Sequence, residues 1–222
     1  MSSRRAMVAG FWAGLGELLP LEWLVRDPSR PAGGAAGAWK REAAPLHGSE
    51  PLAWWSAGLY DGALRRHLLG LRRELQPQGL LPLVRTLAEA LRSDSGPAPG
   101  REHPLLVPIP SWKSRPNPLP PLLAKQLSGQ LRWPEAPLLA RSRPVLGQHR
   151  LNRELRWANQ EGAFHCAIQA RGDRRGRRPL MLLDDILTTG ATACHAAAAL
   201  ETAGWRVLGL ACLARTPERR GS

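Results

Sequence analysis

The chain has 222 residues, 43% of them apolar, which is enough for one α/β domain with a packed core. Lys and Arg outnumber Asp and Glu by 31 to 18, and the net charge of +13 favours anionic partners such as nucleic acids or phosphorylated ligands. Most of these cations are Arg, so a general compositional preference for Arg would explain the same excess. No apolar run reaches the roughly 18 residues of a membrane-spanning helix, and no signal-peptide pattern is found. We therefore predict a cytoplasmic protein without membrane insertion.

The cysteines Cys166, Cys194 and Cys212 lie far apart in the sequence. They lack the paired spacing of a disulfide framework or of a zinc site. The sequence therefore predicts buried, reduced thiols and no structural zinc.

The part of the chain before residue 104 is predicted to contain helices, one strand and irregular segments. Its predicted elements are a helix Gly10–Val25, a strand Leu52–Tyr60, a helix Asp61–Leu75 and a helix Leu80–Arg92. Asp61 has the residue type and position of a helix cap. We predict an irregular, partly helical N-terminal extension over residues 1–51 and one domain over residues 52–222.

From residue 105 onward, predicted strands alternate with predicted helices. The strands are Leu105–Ile109, Leu138–Arg141, Ala163–Ile168, Leu180–Leu183 and Val207–Ala214, and the helices are Leu119–Leu131, Arg150–Asn159 and Ala191–Ala203. This alternation predicts an α/β fold with a mostly parallel sheet flanked by helices. Ligands of such folds bind at the carboxyl ends of the strands.

Two acidic residues, Asp184 and Asp185, come directly after the most apolar predicted strand. Adjacent carboxylates repel each other unless a ligand relieves the repulsion. A vicinal diol can donate hydrogen bonds to them, and Mg²⁺ can neutralise them. The strand end therefore predicts a site for a sugar diol, with or without Mg²⁺.

A loop of small residues follows and leads into the alanine-rich helix. It consists of Thr188, Thr189, Gly190, Ala191 and Thr192. Backbone N–H groups at a helix start, together with threonine hydroxyls, bind phosphate, and Gly190 lets the backbone approach the anion closely. A ligand with a diol and a phosphate fits both halves, and ribose 5-phosphate is such a ligand.

The segment Leu180–Thr192 resembles the motif with which type I phosphoribosyltransferases bind 5-phosphoribosyl-1-pyrophosphate (PRPP). Over about residues 52–216 the chain is also similar to the ComF/GntX family. The matching stretches are Tyr60–Arg72, Leu106–Pro110 with Arg115 and Asn117, and residues of the tract Gly147–Phe164.

Two features depart from that family's pattern. Many members begin with a four-cysteine zinc ribbon, whereas residues 1–51 contain no Cys, so zinc is not implied. The loop Ser111–Pro118 lacks the Gly-Phe-Asn-Gln sequence that the resemblance leads us to expect.

The resemblance implies the type I phosphoribosyltransferase fold and a ligand bound as Mg²⁺-PRPP. Asp184 and Asp185 would be the catalytic pair that holds the ribose hydroxyls, and Lys113 and Arg115 would bind the pyrophosphate. The tract Gln148–Asn159 would cover the site, although its helical spacing is equally explained by packing. The family also implies a role in natural competence and DNA uptake, with single-stranded DNA or a competence-machinery protein as partner.

Two functions from different classes remain open at this point. One is an enzyme that displaces pyrophosphate from PRPP with a nitrogen nucleophile. The other is a non-catalytic protein that senses a phosphoribosyl ligand or helps to handle single-stranded DNA. The Arg-rich stretch Arg171–Arg178 is either a DNA-binding surface or a solvated turn.

Overall fold

A computed structural model of the chain describes residues 44–94, 103–111, 117–143, 153–166, 168–170 and 178–217. The strands in these ranges are β1 (Leu46–Gly48), β2 (Trp54–Ser56), β3 (Leu105–Pro108), β4 (Ala140–Arg141), β5 (Phe164–His165), β6 (Pro179–Leu187) and β7 (Arg206–Arg215). The helices are α1 (Gly62–Arg73), α2 (Pro77–Asp94), α3 (Leu119–Leu131), α4 (Arg153–Gln160) and α5 (Ala191–Thr202).

The central sheet has the strand order β1-β2-β7-β6-β3. The pairs β2–β7, β7–β6 and β6–β3 are parallel, and only β1 pairs antiparallel, with β2. A separate antiparallel ribbon consists of β4 and β5. The predicted α/β class, with a mostly parallel sheet flanked by helices, is confirmed.

Side chains of β6 alternate between two buried layers, as the period of a strand requires. Met181 and Leu183 pack in the core that contains the leucines of α1, α2 and α3. Leu180 and Leu182 pack in the core that contains the alanines of α5. This alternation holds over Leu180–Leu183; at the end of the strand, Ile186 packs against the first of these cores and Leu187 belongs to the second.

All the helices predicted within the described residues are present, with bounds that match or differ by a few residues. Asp61 caps α1, its side chain accepting from the N–H of Gly62 at 2.7 Å. Helix α3 spans the predicted residues and ends where Arg132 adopts a left-handed conformation, with φ of 57°. Helix α2 begins earlier than predicted, at Pro77, because a proline fits the first turn of a helix, where its missing N–H is not needed.

Strand β6 is longer than the predicted Leu180–Leu183. Its pairing with β3 stops at Leu183, but its pairing with β7 continues to Leu187, opposite Arg215. The prediction that the strand ends before Asp184 and Asp185 is therefore wrong, since β7 keeps this segment extended. The two acids lie in the part of β6 that, among the described residues, pairs with β7 alone, and this edge is called the open edge of β6.

Other predicted elements differ in length or lie outside the described residues. Strands β2 and β5 are shorter than predicted, at three and two residues. Strand β1 lies within the predicted extension 1–51, whereas the helix Gly10–Val25 lies outside the described residues. The division at residue 51 stays a prediction. No described helix is both long and apolar enough to span a bilayer.

Candidate functional site

The candidate site lies at the carboxyl edge of the sheet, where β6 extends beyond β3. Asp185 is buried, with 3% of its surface exposed, and Asp184 is partly exposed. Because side chains alternate along a strand, Asp185 lies on the same face of β6 as Leu183, and Asp184 lies on the same face as Leu182. The two carboxylates thus lie in different environments, although they are neighbours in the sequence.

The buried carboxylate of Asp185 is bound by two other side chains. Arg72, at the end of α1, donates to its Oδ2 from Nε at 2.6 Å, and the second guanidinium contact is 2.5 Å. Asn117 donates to the same oxygen from Nδ2 at 2.6 Å. The negative charge of Asp185 is therefore already compensated within the protein.

Asp184 accepts a hydrogen bond on Oδ1 from the backbone N–H of Asp185 at 2.8 Å. Burial, and then the nearby negative charge of Asp185, raise the pKa of the Asp184 carboxyl well above its usual range. Because part of this side chain still reaches solvent, a ligand can contact it. A diol or a cation bound to Asp184 would thus stabilise its charged form.

The predicted phosphate loop leads into α5 as the sequence indicates. Gly190 precedes the helix with φ of 81°, a conformation that favours glycine. The first backbone bond within the helix runs from the N–H of Cys194 to the carbonyl of Gly190 at 2.9 Å. The N–H groups of Ala191–Ala193 therefore precede the helical ladder, and that of Ala191 donates to Oγ1 of Thr189 at 3.4 Å. Thr188 and Thr189 stand before the helix, and Thr192 lies in its first turn.

The space beside Gly190 is occupied by Pro51, which precedes β2. A Cβ at position 190 would collide with the ring carbons of Pro51. The glycine is therefore required by its positive φ and by Pro51, in addition to any approach of an anion. This contact also brings the segment before β2 to the phosphate loop, which the sequence does not predict.

A first cation that the sequence analysis missed is Arg141, at the end of β4. Its guanidinium donates to the carbonyl of Pro110 at 3.0 Å and to Oε1 of Gln160 at 2.9 Å, and it stacks 3.9 Å from the Phe164 ring centroid. Burial lowers the pKa of Arg141 to about 10, and the charge of Asp184 opposes this shift. Arg141 is therefore still charged at neutral pH and adds a cation to the open side of β6.

A second missed cation is Arg215, the last residue of β7. It donates to the backbone carbonyl of Thr188 and lies 5.5 Å from the ring centroid of Trp54. Both missed cations stand at strand ends, and a search for Arg at the ends of the predicted strands would have found them. Arg215 therefore connects the start of the predicted phosphate loop to the end of β7.

Some predicted residues lie outside the described part of the chain. Lys113 and Arg115 are among them, as are Gln148 and residues 171–177. Arg178 is described, and its Nε donates to the backbone carbonyl of His103 at 3.0 Å. The roles of Lys113 and Arg115 in binding pyrophosphate therefore stay predictions.

Mg²⁺ would have to bind here through a limited set of protein oxygens. Within the described residues, no group of three or more His, Cys, Asp or Glu side chains could hold a metal ion. Mg²⁺ is typically held by one or two carboxylates together with substrate phosphates and water. The partly exposed carboxylate of Asp184 fits that pattern, whereas the Oδ2 of Asp185 is already taken by Arg72 and Asn117.

Comparison with known proteins gives matches among solved structures alone: no family model and no curated protein matches the chain. One match is adenine phosphoribosyltransferase from Saccharomyces cerevisiae, at 15% identity over 81% of this chain and 89% of that chain, with a TM-score of 0.43. The enzyme from Rhodothermus marinus matches at 18% identity over 82% and 86%, with a TM-score of 0.42. The enzyme from Leishmania tarentolae matches at 20% identity over 64% and 59%, with a TM-score of 0.35. Such distant similarity carries no argument about the activity of this chain, and membership of the ComF/GntX family stays a prediction.

Proposed function

We propose that this chain binds PRPP, or a closely related phosphoribosyl ligand, at the open carboxyl edge of β6. The observation that carries the proposal is the succession of Asp184, the threonine-rich turn and the start of α5 along one edge of the sheet. Asp184 would accept hydrogen bonds from the ribose hydroxyls. The 5-phosphate would bind to the N–H groups and hydroxyls of residues 188–192.

The electrostatic surroundings support an anionic ligand of this kind. The net charge is +13. Arg215 stands at the end of β7, which pairs with β6, and the charge of Arg141, at the end of β4, interacts with that of Asp184. The positive end of the α5 dipole favours a phosphate at the same place. With Asp185 neutralised by Arg72, Asp184 is the carboxylate at the end of β6 that opposes the approach of the phosphates.

The reaction we propose is transfer of the phosphoribosyl group to a nitrogen nucleophile. The bond from C1 of the ribose to the diphosphate oxygen breaks, the diphosphate leaves with the electron pair, and a C1–N bond forms. The protein would align the reactants and stabilise the departing charge, so no covalent catalyst is needed. Bound Mg²⁺ would neutralise charge on the diphosphate, and Asp184 is the described carboxylate best placed to orient it.

Calorimetry with PRPP and Mg²⁺, and separately with ribose 5-phosphate, tests the binding site. Asp184→Asn and Thr189→Val should each weaken PRPP binding by about tenfold or more, the equivalent of losing one hydrogen bond to a charged group. Thr202→Val is the matched control, because Thr202 lies at the far end of α5 and donates to the carbonyl of Ala198. Equal affinity in all four proteins would refute the assignment of the site.

An assay of turnover distinguishes a transferase from a protein that only binds the ligand. Release of pyrophosphate from PRPP is measured against a panel of nitrogenous bases, with the Asp184→Asn variant as the blank. Base-dependent release by the wild type alone supports a transferase. Tight PRPP binding without release by any base supports a phosphoribosyl-ligand sensor.

The finer role suggested by the ComF/GntX resemblance, in competence and DNA uptake, stays a prediction. The single-stranded DNA partner is predicted from the net charge of +13, the stretch Arg171–Arg178 and the ComF/GntX resemblance, and of that stretch only Arg178 lies within the described residues. Retention of single-stranded DNA at low salt, weakening steeply as salt is added, is the result that this role requires.

A further inference from the structure

The Asp185 carboxylate joins three elements that are far apart in the sequence. Arg72 belongs to the last turn of α1, Asp185 to β6, and 113 positions separate them. Asn117 stands just before α3, and its Oδ1 accepts from the N–H of Leu119 at 3.2 Å. The ends of α1 and β6 and the start of α3 therefore meet at one carboxylate.

The position of this carboxylate limits what it can do. Its side chain is 4% exposed, and a single oxygen, Oδ2, receives the contacts from both Arg72 and Asn117. A buried carboxylate is retained only where it is paired and hydrogen-bonded. A ligand that used this oxygen would first have to displace the guanidinium.

The same carboxylate is connected to the ligand side of the strand through the backbone. The N–H of Asp185 donates to Oδ1 of Asp184 at 2.8 Å, so the orientation of the Asp184 carboxylate depends on the position of the Asp185 peptide. Beyond Leu183 this segment has no β3 neighbour to hold it. Through the side chain of Asp185, Arg72 and Asn117 attach this segment to the end of α1 and to the residue before α3.

From this geometry we infer that Arg72 is a positioning residue: by pairing with Asp185 it fixes the open end of β6, and it leaves Asp184 as the single carboxylate that binds the ribose diol. The inference rests on the proposed function. It differs from the sequence-based expectation, in which Asp184 and Asp185 share the ribose hydroxyls. Asp185 pairs with Arg72 and holds the strand in place, whereas Asp184 binds the ligand.

The charge balance gives a second reason for this division of roles. PRPP carries several negative charges, and two unpaired carboxylates beside it would repel it twice. Pairing Asp185 with Arg72 makes that half of the acidic pair neutral. One acceptor for the diol then remains, with the least possible repulsion of the phosphates.

The test measures the affinity of the folded, full-length chain for PRPP in the presence of Mg²⁺, at fixed ionic strength. Arg72→Met should weaken binding about tenfold, and Arg72→Lys, which keeps the charge, should recover most of that loss. Arg73→Met is the matched control, because Arg73 is the exposed neighbour on α1, and it should bind as the wild type does. A role in global stability alone would lower the unfolding midpoint of Arg72→Met and leave the affinity of the folded protein unchanged.

The double variant Arg72→Met/Asp185→Asn decides the role of Asp185, and it does so even if Arg72→Met alone fails to fold. It breaks the same pair without leaving an unpaired buried charge, so it should fold and bind PRPP about tenfold more weakly than the wild type, the loss expected of Arg72→Met. A loss of about a hundredfold or more would add a lost ligand contact of Asp185, and binding like the wild type would show that the pair does not position β6; either result would make the inference wrong. The inference also fails if folded Arg72→Met binds like the wild type, or if Arg72→Lys is as weak as Arg72→Met. Absence of PRPP binding by the wild type itself would instead refute the proposed function.

Discussion

The helices on the two sides of the sheet bury different side chains. On one side, α1, α2 and α3 contribute mainly leucines, including Leu68, Leu87 and Leu123, all fully buried. On the other side, α5 buries mainly alanines, such as Ala193 and Ala196. The distance between packed elements depends on the side chains at the contact, so alanine lets α5 approach the sheet closely. The first side supplies most of the large buried side chains, and the second places a helix start beside the end of β6.

The two acids at the end of β6 follow the same division. Asp185 belongs to the leucine side, where Arg72 and Asn117 close the structure around it. Asp184 belongs to the alanine side, where it remains partly exposed near the phosphate loop. One side of the sheet therefore closes around its acid, whereas the other side leaves its acid accessible to solvent.

The largest effect on stability is expected on the leucine side. Leu123→Ala in α3 removes a fully buried side chain and leaves a cavity, so the free energy of unfolding should fall by about 3 kcal/mol. Leu155→Ala in α4 is the matched control, since Leu155 is 52% exposed and should change stability by less than about 0.5 kcal/mol. Urea unfolding of both variants measures the difference. Equal losses would contradict the assignment of the core to this side.

A smaller effect is expected at the start of α5. Gly190→Ala places an alanine in a left-handed backbone conformation, and its methyl group collides with Pro51. The free energy of unfolding should therefore fall by about 2 kcal/mol. PRPP binding should weaken as the loop shifts. Gly70→Ala in α1 is the opposite case, since nothing lies within 4 Å of the added carbon and alanine favours a helix interior by about 0.5–1 kcal/mol. A stabilised Gly190→Ala variant would show that the segment before β2 does not pack on the loop.

The smallest effect is expected from Asp184, and it depends on pH. Its pKa is raised in the folded protein, so between the unfolded and folded pKa values the folded state binds more protons, and stability falls as the pH rises through that window, from about 4 upward. Asp184→Asn removes this cost. In the absence of ligand the variant should be more stable than the wild type at neutral pH, and this gain should disappear near about pH 3, where the carboxyl is protonated in both states.

Thermal unfolding of both proteins across this pH range measures the difference. A gain in stability that does not change with pH would mean that the carboxylate of Asp184 is not strained by its surroundings. The variant that gains stability should also lose PRPP binding, which would show that the alanine side is built for the ligand at a cost in stability.

The alternation of strands and helices and the local order of the site can both be predicted from the sequence. Apolar runs and helical spacing predict α3 with its observed bounds, and the Asp61 cap is confirmed. The order of acids, threonines and glycine in Leu180–Thr192 predicts the turn into α5, because these features depend on neighbouring residues alone. The predicted length of β6 was wrong, because it depends on β7, which follows later in the chain.

The tertiary structure decided which residues meet at the site. Arg72 pairs with a carboxylate 113 positions away, Arg215 reaches the carbonyl of Thr188, and Pro51 fills the space beside Gly190. No local pattern encodes these contacts, since they arise when parallel strands bring their carboxyl ends to one edge. Two acids that are equivalent in the sequence, Asp184 and Asp185, become different because the pleat of β6 directs them into different surroundings.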